Sequence, residues 1–380
     1  MFEFDETIDQ SAKIKVIGVG GGGGNAVNTM IDCKISGVDF ITANTDAQAL
    51  RSSKAPTKIQ LGGQLTKGLG AGANPNVGRE AALEDKARLA ETLNGADMIF
   101  IAAGMGGGTG TGAAPIIAEA AREAGALTVG VVTKPFSREG KQRMIKAEEG
   151  IRELKKHVDS LIVVPNDRLI SLASRSMSIL DAFKPSDDVL RQAVQGISEV
   201  ITSHGMINVD FADVKAIMTE RGMAMMGIGM GVGENRAIDA ASRAITSPLL
   251  EDIDVSGAKG VLVNISASSS MTMDEFEEVN KTIHEKVHED ANIIIGVAID
   301  ESLGDQIKVI AIVTGFGDRF DMEKSHHEAR KVSPIQRPVN RETPAYLRER
   351  ERAVPRQSSF MNEEFDEQYD IPTFLRKSVD

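Results

Sequence analysis

Cysteine and tryptophan are nearly absent from this sequence: its 380 residues include no tryptophan and a single cysteine, Cys33. One thiol excludes an intrachain disulfide framework and a cysteine-based structural zinc site. Scarce cysteine is also typical of proteins from a reducing compartment. Because Cys33 lies on the apolar side of a helical pattern, we expect it to be packed in a core rather than to act as a nucleophile.

Long apolar runs and an excess of positive charge are missing as well. No stretch approaches the length of a membrane span, and residues 1–6 are acidic, whereas a signal peptide starts with a basic region and an apolar run. We therefore expect a soluble protein of the cytoplasm. A net charge of −12 argues against nonspecific binding of nucleic acid, which depends on Lys and Arg neutralising phosphates.

Glycine, in contrast, is concentrated in two segments that lie between an apolar strand pattern and a helical pattern. Residues 18–25 read Gly-Val-Gly-Gly-Gly-Gly-Gly-Asn, and residues 104–112 read Gly-Met-Gly-Gly-Gly-Thr-Gly-Thr-Gly. Such a loop lets backbone N–H groups converge on an anion at a helix N-terminus, where the helix dipole adds partial positive charge. A flexible linker is the alternative, but linkers join domains rather than a strand and a helix. Two such loops predict a ligand with several phosphates.

The first glycine segment also matches Gly-x-Gly-x-x-Gly, the fingerprint of dinucleotide-binding enzymes. An NAD- or FAD-dependent oxidoreductase is therefore an alternative, with Asp39 as a ribose contact. The second glycine segment argues against this alternative, because a dinucleotide fold needs one phosphate loop of this kind. Neither segment contains lysine, and Gly-x-x-x-x-Gly-Lys-Ser/Thr does not occur in the sequence, which excludes a P-loop protein.

Apolar runs that alternate with helical patterns predict an α/β fold with a parallel sheet covered by helices. A long helix is predicted within residues 178–203, with a break at Pro185, where we place the domain joint. Further strand and helix patterns up to residue 314 predict a second, smaller α/β domain. The predicted strands cover residues 14–19, 38–43, 98–103, 127–132, 160–164, 225–230, 260–266, 293–299 and 307–314.

The character of the sequence changes after residue 316. Residues 317–368 mix arginines, acids and prolines with few aliphatic residues, and such a segment cannot bury enough apolar area to offset its ordering entropy. We expect a disordered linker there. Residues 369–380 then carry an isolated apolar cluster between charged flanks, which predicts a short docking peptide rather than an inert tail. Its docking residues are Asp370, Ile371, Pro372, Phe374 and Leu375.

These motifs together resemble the FtsZ family, the bacterial relatives of tubulin that act in cell division. The resemblance covers residues 12–316 and resumes at the tail. It rests on residues 107–112, 18–25 and the run Asn-Val-Asp-Phe-Ala-Asp at 208–213, with further agreement at 44–46, 68–75, 132–136 and 370–377. It implies a flexible N-terminus (1–11), a GTP-binding domain (12–177), a central helix (178–203), a C-terminal activation domain (204–316), the linker (317–368) and the docking peptide (369–380).

The resemblance implies a self-assembling GTPase that polymerises head to tail into filaments of the ring at the bacterial division site. GTP or GDP and Mg²⁺ are the implied ligands, with Mg²⁺ held mainly by the phosphates. The implied partners are further copies of the chain and, through the docking peptide, membrane-tethering and regulatory division proteins. The implied location is the cytoplasmic face of the membrane at mid-cell, without membrane insertion and without nucleic acid.

The resemblance also assigns nucleotide contacts. The helix-start residue Thr109 has a second interpretation as an N-cap, and Glu139 with Arg143 has one as a surface ion pair on a shared helix face. The implied phosphate contacts are Gly21, Gly22, Gly23, Gly24, Asn25, Gly107, Gly108, Thr109, Gly110 and Thr111. The remaining contacts are Ala71, Gly72, Ala73 and Asn74 near the γ-phosphate, Asp46 through magnesium or water, Glu139 and Arg143 at the ribose, Asn166 and Asp187 at guanine, and Phe183 stacked on the base.

Catalysis is assigned by the resemblance to Asn208, Asp210 and Asp213. Asp210 and Asp213 are three apart at a predicted helix start and can point the same way, while Asp210 alone is also a candidate N-cap. In the family this loop enters the nucleotide pocket of the next subunit, so the two aspartates orient the water, Asn208 positions it, and hydrolysis requires assembly. A non-catalytic nucleotide-sensing scaffold is a further hypothesis, against which the intact 208–213 run argues.

Overall fold

The computed structural model describes residues 12–172, 179–202, 209–219, 222–250, 257–288 and 290–315. In this part of the chain ten strands form one sheet with the order β3-β2-β1-β4-β5-β6-β7-β10-β8-β9. The strands are β1 (Ile14–Val19), β2 (Val38–Asn44), β3 (Thr57–Gln60), β4 (Met98–Gly104), β5 (Leu127–Lys134), β6 (Ser160–Pro165), β7 (Gly222–Val232), β8 (Gly260–Ala267), β9 (Asn292–Ile299) and β10 (Gln306–Thr314).

Strands β1 to β6 are parallel, and their order reverses between β1 and β4. In open α/β sheets, ligands bind beside the carboxyl ends of the strands at such a reversal. β4 is buried along Met98 to Ala103 because helices cover both faces of the sheet. These helices are α1 (Gly20–Asp32), α2 (Ala47–Ser52), α3 (Gly63–Thr66), α4 (Pro75–Glu84), α5 (Lys86–Leu93), α6 (Thr109–Glu123), α7 (Lys141–Lys155) and α8 (Asn166–Leu172).

The second half of the sheet joins the first through three residue pairs between β6 and β7, from Ser160 with Gly222 to Ile162 with Ala224. β10 is antiparallel to β7 and β8, whereas β8 and β9 are parallel. The helices of this half are α9 (Ile179–Thr202), α10 (Phe211–Met218), α11 (Arg236–Ile245) and α12 (Met273–His284).

Helix α9 runs from the carboxyl edge of the parallel strands to their amino edge. At its first end Ser186 donates to Asn166, the residue that follows β6. At its last residue, Thr202 packs against Gly37, which precedes β2. The 16 steps along the helix from Ser186 to Thr202 correspond to about 24 Å.

The sequence-based strands are confirmed to within three residues at each end, and β3 is an additional strand. Its four residues, of which Ile59 is buried and the first two are exposed, are too short a pattern to detect. The long helix is confirmed, but the predicted break at Pro185 is wrong. The helix continues through Pro185, which removes only one backbone hydrogen bond from its first two turns. No described helix is long and apolar enough to cross a membrane.

Two further expectations are corrected. Cys33 is exposed, because α1 ends at Asp32 and Cys33 is the capping residue beyond the apolar face. The glycines from Gly20 to Gly24 form the first turns of α1 rather than a loop. The predicted N-terminal segment, linker and docking peptide lie outside the described residues, and the division into domains stays a prediction.

Three alternate glycines of β7 allow α11 to lie directly on the strand. A Cβ at Gly227, Gly229 or Gly231 would overlap backbone carbonyl oxygens of α11. Helix and strand therefore approach closer than side chains permit.

We expect Gly229→Ala to lower the free energy of unfolding by about 2 kcal/mol, because overpacking a filled contact typically costs 1–3 kcal/mol. Its added Cβ would lie 2.5 Å from the amide nitrogen of Ala244. Gly222→Ala is the matched control, since a Cβ at this first residue of β7 meets nothing within 4 Å. Denaturant unfolding monitored by circular dichroism measures both variants; equal stability losses would contradict the packing argument.

Candidate nucleotide-binding site

The two glycine segments begin at the same edge of the sheet. Val19, the last residue of β1, pairs with Ala103 in β4, so the chain leaves both strands side by side. A Cβ at Gly20 would lie 2.9 Å from the amide nitrogen of Gly110, and one at Gly110 would lie 2.6 Å from the carbonyl oxygen of Gly104. The segments are therefore in backbone contact, which only glycine permits at these positions.

Both segments place helix N-termini at this edge. The first described hydrogen bond of α6 runs from Gly112 to the carbonyl of Gly108, so the amides of Thr109, Gly110 and Thr111 precede the bonded ladder. α1 likewise begins at Gly20. Early helical N–H groups have no intrahelical acceptor and carry the positive end of the dipole. Two adjacent helix starts can thus bind a multiply charged phosphate chain.

A third segment, residues 70–74, completes this edge. A Cβ at Gly108 would lie 2.8 Å from the Cβ of Ala71 and 3.0 Å from the amide nitrogen of Asn74. The Asn74 side chain caps α4 by accepting from the Asn76 amide at 3.1 Å. Gly72 and Ala73 both have positive φ angles, +57° and +56°. A left-handed alanine is strained, and such strain is concentrated at functional sites.

Each of the three segments has one glycine that faces open space. A Cβ at Gly21, Gly72 or Gly107 would meet nothing within 4 Å. In the two glycine segments, glycines in close contact with neighbouring atoms lie beside one that faces open space. The open positions of all three segments leave room beside the helix starts for phosphate oxygens.

The structure corrects one interpretation of Thr109. It is the first helical residue after Gly108 and not the N-cap. Its buried hydroxyl hydrogen-bonds the Thr45 hydroxyl at 2.7 Å. The Thr111 hydroxyl accepts from the Gly106 amide at 2.8 Å, so this side chain holds the glycine segment from within. A hydroxyl has one proton to donate, so when the Thr45 hydroxyl is the donor of their shared bond, the Thr109 proton is left for a phosphate oxygen.

Asp46 lies where β2 gives way to α2, beside the third segment. Its Oδ1 accepts from the Gln48 amide at 2.8 Å and the Ala49 amide at 3.3 Å, so Asp46 is the N-cap of α2. Its backbone bridges to Leu69. Mg²⁺ bound with a nucleotide typically takes its ligands from phosphates, water and one or two carboxylates. As a single carboxylate beside the phosphate-binding segments, Asp46 fits that pattern. Among the described residues, no group of three or more His, Cys, Asp or Glu could hold a metal ion by itself.

Glu139 and Arg143 form an ion pair, but they do not lie on a shared helix face as expected. Glu139 ends a 3-10 turn, Ser137–Glu139, and Gly140 separates it from α7, so the two residues do not share one helix. They nevertheless make an ion pair at 3.1 Å. The Glu139 carboxylate also accepts from the Phe136 amide at 2.8 Å. Arg143 packs beside the second glycine segment, since a Cβ at Gly106 would lie 2.8 Å from its Cγ.

The predicted base contacts meet at the end of β6. Asn166 is buried and accepts from the Ser186 hydroxyl at 2.9 Å, which brings Asp187 of α9 to the same corner. Desolvation by burial raises the pKa of the Asp187 carboxyl to about 6, above its usual value of 3.8. Phe183 lies one turn earlier in α9, and its side chain is outside the described part of the structure.

The predicted catalytic residues are not brought to this edge. Asp210 and Asp213 are exposed at the start of α10; Asp210 has the N-cap position, but its side chain makes no capping bond. Three contacts place α10 at the amino edge. Before α10 in the sequence, Thr202 packs at this edge against Gly37, and after α10, Gly222 of β7 pairs with Ser160, the first residue of β6. Ile217 of α10 itself contacts Thr314 at the end of β10. Asn208 lies outside the described residues.

Sequence reasoning missed several residues that support these contacts. Asp167 accepts from both the amide and the hydroxyl of Ser137, and so links the segment that carries Glu139 to the residue after Asn166. Thr45 and Asp167 could have been found, because each follows a parallel strand at its carboxyl end. Lys146, which donates to the Ala73 carbonyl at 2.7 Å, left no local signal, because the two are far apart in sequence.

Comparison with known proteins adds independent findings. Residues 13–174 match the family model described as Tubulin/FtsZ family, GTPase domain, and residues 222–317 match the model of the FtsZ family, C-terminal domain. The chain is 50% identical to a protein named cell division protein FtsZ from Pseudomonas aeruginosa, with all of both chains covered. It is 51% identical to the protein of that name from Azotobacter vinelandii, covering 100% of this chain and 92% of the relative.

Solved structures agree with these relatives. An empty FtsZ dimer from M. jannaschii superposes with a TM-score of 0.79 at 46% identity, covering 83% of this chain and 91% of that one. A GTPγS-bound protofilament of CetZ2 from Haloferax volcanii gives a TM-score of 0.69 at 19% identity, covering 84% and 98%, and shows the shared fold. The matches support the GTPase interpretation and give no support to the dinucleotide-dependent oxidoreductase.

We expect the affinity for a guanine nucleotide to fall as the pH drops through about 6. In the predicted contact, the two N–H donors of guanine pair with the two oxygens of the ionised Asp187 carboxylate. The raised pKa in the free protein leaves this carboxyl protonated below about 6, and protonation removes one acceptor. Affinity should be constant above that pH and about tenfold lower at pH 5 than at pH 7.

Isothermal titration with GDP across this range measures the effect, and Asp187→Asn is the control. Asparagine keeps a carbonyl acceptor but does not titrate, while the terminal phosphate, which titrates near 6, is the same in both proteins. If the wild-type and variant profiles are parallel, Asp187 does not contact the base.

Proposed function

Because the chain belongs to the FtsZ family of tubulin-like cell division GTPases, we propose that it binds GTP at the three joined segments and hydrolyses it only when a second copy completes the site. The observation that carries this proposal is the separation of the two halves of the site. The phosphate-binding segments lie at the carboxyl edge of the sheet, and Asp210 and Asp213 lie at the amino edge.

The nucleotide's place is supported by the order of the candidate contacts around the carboxyl edge. Phosphates fit at the starts of α1 and α6 beside residues 70–74. The ribose then falls at the Glu139–Arg143 pair, and guanine at Asn166 and Asp187. Successive strand ends therefore meet successive parts of one GTP molecule. Magnesium bound with the nucleotide would neutralise charge on the β- and γ-oxygens, with Asp46 as the nearby carboxylate.

The separation of the halves supports a head-to-tail contact. Helix α9 places about 24 Å between the base corner and the amino edge, which is too far for Asp210 or Asp213 to reach the γ-phosphate of the same subunit. When subunits stack in one direction, the amino edge of one faces the carboxyl edge of the next. A contact that joins different surfaces and does not close by rotation generates a filament.

An exposed leucine at the carboxyl edge is consistent with such a contact. Leu69 is 86% exposed and lies directly before the 70–74 segment. An apolar side chain of this size in water is stabilised when a partner covers it. We propose that the next subunit does so in the filament.

For hydrolysis, the two aspartates would receive or orient the attacking water of the neighbouring site. Their carboxylates are exposed and can accept hydrogen bonds, as a water-positioning group requires. The N–H groups of the glycine segments would stabilise charge on the transferring phosphoryl group. We assign Asn208 to positioning the same water.

The cellular setting follows from the family. We propose that the filaments act at the division site on the cytoplasmic face of the membrane. The apolar cluster of residues 370–375 would dock onto membrane-tethering and regulatory division proteins, with residues 317–368 as the linker. The division into domains at 12–177, 178–203 and 204–316 remains part of this proposal.

We expect phosphate release from GTP to depend on protein concentration. Specific activity should be near zero at low concentration and rise above a threshold, because only assembled subunits hold both halves of a site. A malachite-green assay over a dilution series with magnesium, and ATP as the control nucleotide, measures this. Specific activity that stays constant on dilution would place the whole site in one subunit.

We expect Asp213→Ala to lower turnover of GTP by about 100-fold or more, the usual contribution of a group that positions or deprotonates a nucleophile. GTP binding should change little, because Asp213 lies at the far edge of its own subunit. Glu91→Ala, which removes an exposed carboxylate on α5, is the control and should keep wild-type turnover. Loss of nucleotide binding in Asp213→Ala would show that this residue has been given the wrong role.

A further inference from the structure

Lysine is absent from both glycine segments, yet one lysine reaches the site from α7. The Nζ of Lys146 donates to the carbonyl oxygen of Ala73 at 2.7 Å. Lys146 is three residues beyond Arg143 on the same helix, so the two side chains lie on neighbouring turns of one face. Arg143 packs beside the second glycine segment and pairs with Glu139, whereas Lys146 contacts the third segment.

The carbonyl that Lys146 binds belongs to a strained residue. Ala73 has a φ of +56°, in the left-handed region that non-glycine residues avoid, and it follows Gly72 in the same region. A hydrogen bond from an ammonium group is stronger than one between neutral groups and offsets part of that strain. Lys146 therefore holds residues 71–74 from outside, while Gly108 supports them from within.

This arrangement leaves donors unused inside the segment. The amides of Gly70 and Asn74 are bonded to the carbonyls of Thr45 and Ala71. Across the described parts of the chain, the three amides between them, at residues 71, 72 and 73, make no hydrogen bond. Gly72 also faces open space. Three amide donors between two anchored ends suit the oxygens of a terminal phosphate.

We infer that Lys146 is a positioning residue that pre-orders the 71–74 segment for the γ-phosphate and so makes the protein prefer GTP to GDP. The inference rests on the proposed GTP site. Because GDP lacks the terminal phosphate that these amides would meet, loosening the segment weakens GTP binding more than GDP binding. The lysine acts through the backbone it holds and need not touch the nucleotide.

The test compares the affinities of GDP and a slowly hydrolysed GTP analogue for the full-length chain, at concentrations below assembly. In Lys146→Met the preference for the GTP analogue should fall about threefold to tenfold, the range for losing one charged but solvent-screened hydrogen bond. Lys146→Arg should restore most of the preference. Lys141→Met, which removes an exposed lysine at the start of α7, should leave the preference unchanged.

Hydrogen exchange of the 71–74 amides without nucleotide supplies the second readout. It should become faster in Lys146→Met and stay at the wild-type rate in Lys141→Met. Equal losses of affinity for both nucleotides, or unchanged exchange in Lys146→Met, would overturn the positioning role. If the wild-type chain binds neither nucleotide, the proposed function itself fails, whereas a wild-type preference that survives in Lys146→Met refutes only this inference.

Discussion

The close approach of backbone to backbone at the ends of β1 and β4 is the constraint on which the rest of the site depends. α1 crosses so near to β4 that a Cβ at Gly23 would overlap the carbonyl oxygen of Ala102, and Gly20 touches the start of α6. With side chains at these positions, two helix N-termini could not stand next to each other. Their combined partial charge provides the positive end that a polyphosphate needs in a chain whose net charge is −12.

The second organising element is α9, which connects this edge to the opposite one. It packs against both halves of the sheet: α9 contacts β5 in the first half, and its Gly196 and Val200 lie against Ile310 and Gly296 in the second half. The same helix fixes Asp187 near Asn166 at one end and leads toward α10 at the other. The predicted base contacts therefore lie at one end of α9 and the predicted water-positioning aspartates beyond its other end, although in the proposed filament they serve different nucleotides.

Much of the fold was predictable because its signals are local. The strands from β1 to β6, apart from β3, are mostly apolar and largely buried, and the glycine segments stand between strand and helix in the sequence itself. The residues that were missed make contacts that sequence spacing does not encode. Thr109 meets Thr45 across 64 positions, Asp167 meets Ser137 across 30, and Lys146 meets Ala73 across 73. Glu139 and Arg143 pair as predicted, but a left-handed Gly140 separates them, and periodicity alone does not reveal it.

The placement of the phosphate-binding segments and the aspartates at opposite edges has a consequence for any row of such subunits. The two ends of the row differ. The subunit at the first end presents a nucleotide pocket without a neighbour, and the subunit at the other end presents Asp210 and Asp213 without a neighbour. Since each complete site needs one neighbour, a row of n subunits holds n − 1 of them. In the proposed filament, the nucleotide in the pocket at the first end of the row stays intact until another subunit arrives, so that end remains chemically distinct from the interior for as long as it is free.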